Sequence, residues 1–129
     1  SFSKSFQLLK GDMFFPFIFT DCDTPAPTKG IILFDALYGQ QKLFADYIEQ
    51  HKTCFFINIY TNNGGTLQNS VGFMKALGEK GLTFKSIEQT KLTEADIQSN
   101  RLLFIHSSLG HNEVLSTTNY FQQFLQFMQ

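Results

Sequence analysis

The sequence has no tryptophan and only two cysteines, whereas sixteen of its 129 residues are phenylalanine. Two cysteines, Cys22 and Cys54, are too few for the disulfide framework of a small secreted fold, and their spacing is not that of metal ligands. We therefore interpret Cys54 as a buried apolar thiol. Without tryptophan, phenylalanine has to fill much of the core, which favours layers packed over a sheet.

A run of basic residues and a long apolar stretch are also missing. Ten Lys and Arg stand against eleven Asp and Glu, so the net charge is −1 and no segment could neutralise a series of phosphates. No stretch approaches the ~20 apolar residues that span a bilayer. We expect neither nucleic acid nor a membrane as a partner, and the composition does not indicate a compartment. The length and the 43% hydrophobic content predict one domain, residues 1–129.

From residue 30 onward, apolar β-rich runs alternate with segments of helical periodicity, which predicts a parallel sheet covered on both faces. The predicted strands cover 30–34, 54–60 and 101–105, with a short edge strand at 83–87; the predicted helices cover 40–50, about 66–77 and the last segment, including 120–128. Thr93 and Asp96 have the spacing of a capping box. The expected fold class is α/β, a three-layer αβα sandwich with a mostly parallel sheet and a βαβαβα core over 30–129.

The first 29 residues form an extended N-terminal segment in which Pro16 interrupts two apolar runs. Proline confines a strand to an edge or a bulge. Two roles stay open for this segment. It completes the sheet as an edge strand, or it packs against a part of the protein that is not in this chain.

Ligands of open α/β sheets bind outside the carboxyl ends of the strands, because loops and helix N-termini converge there. Polar clusters follow the predicted strands at that edge; they are Asp35 with Tyr38, the loop Thr61 to Gly65, His106 to Ser108, and His111 with Glu113. We expect Tyr38, Asn63 and His106 to contact a substrate. Asn62 to Gly65 lacks the G-x-G-x-x-G spacing and the Lys-Ser/Thr of phosphate loops, so we expect no cofactor, and no residue spacing predicts a metal site.

An aspartate that ends a buried strand and a histidine in a later strand-to-helix loop suit a proton relay. The carboxylate of Asp35 would fix the tautomer of His111, whose other ring nitrogen would accept a proton. For His111 the alternative is a loop histidine that caps the last helix. For Asp35 the alternative, slightly favoured, is a carboxylate that accepts backbone N–H bonds in the turn after its strand.

Ser108 is the candidate nucleophile within the chain, because a strand, Ser-x-Gly and a helix follow one another there. His106 replaces the first glycine of G-x-S-x-G, and no acid or histidine follows the final helix. A loop hydroxyl is therefore the interpretation that we favour for Ser108.

Three short motifs together resemble the C-terminal half of an α/β-hydrolase-fold protein over residues 30–129. They are Ile31 to Gly39, Ile59-Tyr60-Thr61 with Gly64-Gly65-Thr66, and Ser108 to Val114. In that fold the acid follows a strand after the nucleophile elbow, and the histidine follows the last strand. The resemblance implies that Asp35 is the acid and His111 the histidine.

The chain departs from the family pattern because no nucleophile elbow precedes Asp35. Either the chain is one portion of a longer polypeptide that carries the nucleophilic serine, or its catalytic apparatus is incomplete; we favour the portion. The functional hypothesis is a serine-hydrolase-like enzyme, or a fragment of one, acting on a small-molecule or acyl substrate. The alternative is a non-catalytic α/β binding or assembly domain.

Overall fold

The computed structural model describes residues 6–10, 16–20, 30–35, 37–62 and 65–110, which form one six-stranded sheet. Its strands are β1 (Phe6–Lys10), β2 (Pro16–Thr20), β3 (Gly30–Phe34), β4 (Phe55–Tyr60), β5 (Lys85–Glu88) and β6 (Leu102–His106). The spatial order is β1-β2-β3-β4-β6-β5. The last four strands in this order are mutually parallel, whereas β1 and β2 are added in antiparallel fashion. The predicted α/β fold with a mostly parallel sheet is confirmed.

The helices are divided between the two faces of the sheet. They are α1 (Gln41–Gln50), α2 (Thr66–Glu79) and the short α3 (Glu94–Ser99). The chain crosses the sheet in one direction through α1 and α2 as far as β5, and returns through α3 to place β6 between β4 and β5. Because parallel crossovers keep one hand, a return step puts its helix on the opposite face. The final predicted helix lies outside the described residues.

Two apolar clusters, one on each face, enclose the parallel strands. The first face packs Leu33, Phe56 and Phe104 against Phe44 of α1 and Phe73 of α2. The second face packs six other strand residues against Ile97 of α3; they are Ile32, Phe34, Ile57, Ile59, Leu103 and Ile105. Every residue of β3 is buried, as expected for a strand with both sides covered. Within the described part of the chain, no helix is long and apolar enough to cross a membrane.

The N-terminal segment contributes two strands to the sheet, so its backbone follows the first of the two roles predicted for it. β2 pairs with β3 through Phe17, Ile18 and Phe19, and β1 is the outer strand. Pro16 is the first residue of β2 and lies outside this register with β3. Its missing N–H therefore interrupts no hydrogen bond of that pairing.

The capping box predicted at the start of α3 is present. The Thr93 hydroxyl accepts from the backbone N–H of Asp96, and the Asp96 carboxylate accepts from the Thr93 backbone N–H at 2.9 Å. Lys85 of β5 also donates to this carboxylate. The bond from Lys85, followed by those from Thr93, lowers the pKa of Asp96 below its ordinary value. The same side chain therefore caps the helix and joins it to the outer strand β5.

Cys54, at the entrance to β4, corrects one expectation from the sequence. Its side chain is buried, but it is disulfide-bonded and not a thiol. The sequence contains one other cysteine, Cys22, which lies outside the described residues. Sequence spacing could not predict the bond, because a disulfide depends on the distance between two cysteines in the folded chain.

Reduction of the disulfide should destabilise the protein by about 2–4 kcal/mol, because the bond restricts the unfolded chain. The measurement is urea-induced unfolding with and without dithiothreitol, with thiol titration to verify the redox state. The Cys54→Ser variant should unfold at the lower urea concentration in both conditions. Coincident curves for the oxidised and the fully reduced wild type would contradict the prediction.

Replacing Asp96 should give a pH-dependent loss of stability. The folded-state pKa of Asp96 lies below the unfolded value, so its contribution is present above about pH 4 and is lost as the pH falls through the folded pKa. Urea unfolding should therefore show Asp96→Asn less stable than wild type at pH 7, with the gap narrowing towards pH 3. Glu79→Gln, at an exposed position of α2, is the control and should show a smaller gap at pH 7.

Candidate functional site

The carboxyl ends of the four parallel strands meet at one edge of the sheet, and one polar side chain from each strand lies in a single row there. Tyr60 of β4 is in register with His106 of β6, which is in register with Glu88 of β5. The Asp35 N–H bonds to the Ile59 carbonyl and extends the β3–β4 ladder by one residue, next to Tyr60. Residues in register on parallel strands share a face. The row Asp35–Tyr60–His106–Glu88 therefore lies on the first face, where Tyr60 packs with α1 and α2.

Asp35 is the most enclosed member of the row, with a side chain that is 0% exposed. Its Oδ1 accepts from the Thr61 backbone N–H at 3.0 Å and from the Thr66 hydroxyl, and its Oδ2 accepts from the Thr61 hydroxyl at 2.9 Å. Its backbone φ of 52° is in the left-handed region, which is uncommon outside glycine. The carboxylate thus accepts the backbone N–H of Thr61, at the end of the neighbouring strand β4.

The donors to Asp35 are placed by the start of α2. Gly65 precedes the helix with a φ of 83°, a conformation that glycine adopts without strain, and Thr66 is the first helical residue. The first N–H groups of a helix carry partial positive charge, and this favours an anion nearby. The bonds from Thr61 and Thr66 therefore hold the buried Asp35 carboxylate beside the N-terminus of α2, and this end of the helix stabilises negative charge.

Tyr38 lies at the outer side of this carboxylate and is 39% exposed. Burial, and after it the negative charge of Asp35, raises the pKa of the Tyr38 phenol above its ordinary value. The hydroxyl consequently stays protonated at neutral pH and can donate a hydrogen bond. The substrate contact expected for Tyr38 stays a prediction.

His106 is the last residue of β6, and both of its ring nitrogens contact groups of the protein. Nδ1 lies 2.8 and 3.0 Å from the two carboxylate oxygens of Glu88, and Nε2 lies 2.8 Å from Oδ1 of Asn62. The ring packs on Tyr60 with 5.2 Å between centroids. Burial raises the pKa of Tyr60, while a hydrogen bond with Ser86 opposes that shift. His106, at the end of β6, therefore links Glu88 at the end of β5 to Asn62, the residue that follows Thr61.

The two serines that follow β6 differ in their environments. Ser107 is buried, its hydroxyl donates to Gln89, and the same oxygen accepts the Leu109 N–H at 3.1 Å. Ser108 is exposed. Asp35 and Gln40 are the non-glycine residues with positive φ in the described part of the chain, so Ser108 does not have the left-handed backbone of a strained turn.

Two of the predicted site residues, His111 and Asn63, lie outside the described residues. The structure places Asp35, Tyr38 and His106 at the same edge, with Ser108 two residues beyond the end of β6. Gly110 is the last described residue before His111. Whether Asp35 meets His111 therefore stays a prediction.

Sequence reasoning missed Glu88 as a member of the row. It follows the strand predicted at 83–87, and a residue at the carboxyl end of a parallel strand belongs to the same edge as the other strand ends. The sequence carried that signal, but it did not show that β5 lies next to β6. Thr66 was missed as a partner of Asp35 because the two residues are 31 positions apart.

No protein-family model, no curated protein and no solved structure matches the chain. Among the described residues, no three or more His, Cys, Asp or Glu side chains are grouped as metal ligands would be. The row of side chains at the strand ends is therefore the structural basis for a functional proposal.

Asp35→Asn should destabilise the fold by about 2–3 kcal/mol, because an amide keeps only one of the two acceptor oxygens and charge-assisted bonds are lost. Thr66→Val should cost about 1–2 kcal/mol through loss of one hydroxyl donor. Urea unfolding at pH 7 measures both, with Asp46→Asn on α1 as the matched control. An Asp35→Asn variant as stable as the control would contradict a structural role for these bonds.

Proposed function

We propose that the chain is part of an α/β-hydrolase-like enzyme that cleaves esters or other acyl compounds. In this proposal Asp35 orients His111, His111 acts first as general base and then as general acid, and a serine outside this chain attacks the acyl carbon. The observation that carries the proposal is a fully buried carboxylate at the carboxyl end of a central parallel strand. The order of the three sequence motifs supports the finer assignment to the hydrolase fold.

The surroundings of Asp35 suit the role of an orienting acid. Thr61 and Thr66 supply three donors to the carboxylate, all of them neutral. These donors prevent the carboxylate from rotating, and α2 favours its negative charge. An imidazole N–H is a chemically suitable donor to such an acid, because the imidazolium formed during proton transfer would be stabilised by the fixed carboxylate.

The nucleophile is better sought outside the chain than at Ser108. A nucleophile elbow holds its serine in a strained strand-to-helix turn, where a base can take the hydroxyl proton. Ser108 lacks a positive φ, and the strained position at a strand end belongs to Asp35 instead. Backbone N–H groups near the external serine would stabilise the oxyanion.

Tyr38 and Asn63 are the proposed substrate contacts beside the acid. Tyr38 is exposed and keeps its hydroxyl proton at neutral pH. Asn63 follows Asn62 in the loop whose threonine binds Asp35. We expect the exposed Tyr38 hydroxyl to bind an oxygen of the acyl substrate, with Asn63 as a second contact.

A fluorophosphonate probe on the full-length protein tests the proposal, because it labels a serine only when a base activates it. We expect labelling of the native protein and a loss of about 100-fold or more in the labelling rate of His111→Ala, since removal of one triad member disables the others. His51→Gln, at the C-cap of α1 on the opposite edge, is the matched control and should label normally.

The outcomes separate the two functional hypotheses. Labelling that is unchanged in His111→Ala would exclude the relay. A folded full-length protein that is not labelled at all would favour the non-catalytic binding or assembly domain.

A further inference from the structure

The contacts of the His106 ring require a particular distribution of protons. Nδ1 faces the Glu88 carboxylate and Nε2 faces the carbonyl oxygen of the Asn62 side chain, so both partners are acceptors. Neutral imidazole has one N–H donor, whereas imidazolium has two. With the Asn62 amide in this orientation, both contacts are hydrogen bonds only when the ring is protonated.

Loss of the proton would affect the two contacts unequally. The carboxylate keeps a hydrogen on Nδ1 in either charge state, because the alternative would place a lone pair against a negative charge. Deprotonation therefore leaves Nε2 with a lone pair that faces Oδ1 of Asn62. With the Asn62 amide in this orientation, two acceptors at 2.8 Å repel each other, so this form of the contact with Asn62 is the one that depends on charge.

Asn62 lies in the loop that leads from β4 to α2 and adjoins the threonine that binds Asp35. Its neighbour Thr61 donates both its backbone N–H and its hydroxyl to the Asp35 carboxylate. Three residues separate Asn62 from Thr66, the third donor group. A bond that holds Asn62 therefore restrains the adjacent Thr61, which supplies two donors to the buried acid.

We propose that His106 is a positioning residue whose protonated ring, bound to Glu88 and Asn62, holds Asn62 and the adjacent Thr61 in place beside Asp35. The ionisable groups that face the ring are Glu88 on β5 and Tyr60 on β4, with Asp35 beyond Tyr60 in the same row. The restraint on Asn62 and Thr61 is strongest when the His106 ring is charged, and it weakens when the ring is neutral. This role is independent of the proposed hydrolysis, because it concerns the free protein.

Hydrogen exchange of the Thr61 backbone N–H in the full chain, followed by NMR, tests the role. We expect its protection, corrected for the intrinsic rate, to fall about fivefold to tenfold between pH 5.5 and pH 8.5 in the wild type, as expected for loss of one hydrogen bond. The Leu103 N–H in β6 serves as the reference for global stability and should not change in parallel. The ring ¹⁵N signals of His106 should change from the doubly protonated to the singly protonated form over the same interval.

Three variants separate the two contacts of the ring. In His106→Asn the amide nitrogen, attached to Cγ as Nδ1 is, keeps a donor to Glu88 but loses the contact with Asn62. His106→Asn and Asn62→Ala should both show low Thr61 protection at pH 5.5 and no pH dependence. Glu88→Gln keeps an acceptor oxygen for Nδ1 and the contact with Asn62, so it should lower Thr61 protection at pH 5.5 less than Asn62→Ala does. His51→Asn is the control and should follow the wild type.

Two results would overturn the proposal. One is Thr61 protection in the wild type that does not change with pH while Leu103 remains protected. The other is a His106 ring that stays neutral at pH 5.5, since Asn62 would then donate its amide N–H to Nε2 and no charge would be involved. Because the wild-type series decides both points, a variant that fails to fold does not prevent the decision.

Discussion

A buried carboxylate at the end of a central strand is the constraint on which the rest of the site depends. Removing Asp35 from water is unfavourable unless donors replace its hydration, and the chain supplies them from Thr61 and Thr66. These donors can reach it only if β4 lies beside β3 and α2 starts directly above their ends. The relative positions of β3, β4, the loop after β4 and α2 are therefore tied to the hydrogen bonds of one buried side chain, that of Asp35.

The register of the parallel strands extends this local arrangement across the sheet. Because Asp35, Tyr60, His106 and Glu88 lie at the same level on four neighbouring strands, their side chains share one face and one edge. The buried acid occupies one end of the row and the exposed Glu88 the other. His106 contacts Glu88 through one ring nitrogen and Asn62 through the other. Asn62 adjoins Thr61, which binds Asp35. The row thus combines a solvent-excluded carboxylate with an imidazole that contacts protein groups through both of its ring nitrogens.

Much of the parallel core could be predicted from local patterns, and the site could be predicted only in part. Continuous apolar runs predict β3, β4 and β6, and the Thr93–Asp96 spacing predicts the cap of α3, because these signals lie within a few residues of each other. Asp35 was found because a polar residue after a buried strand must lie at the strand-end edge. Glu88 was missed because its relation to His106 depends on the return of the chain through α3. The disulfide of Cys54 was missed for the same kind of reason.

The amino-acid sequence alone determined the alternation of strands and helices and the edge at which polar residues gather, since periodicity and capping are local properties of the chain. Only the tertiary structure decided which of those residues meet. Asp35 bonds to residues 26 and 31 positions away, and His106 to residues 18 and 44 positions away. Hydrogen bonds require contact within about 3 Å, and that depends on strand order and register, which no local pattern encodes.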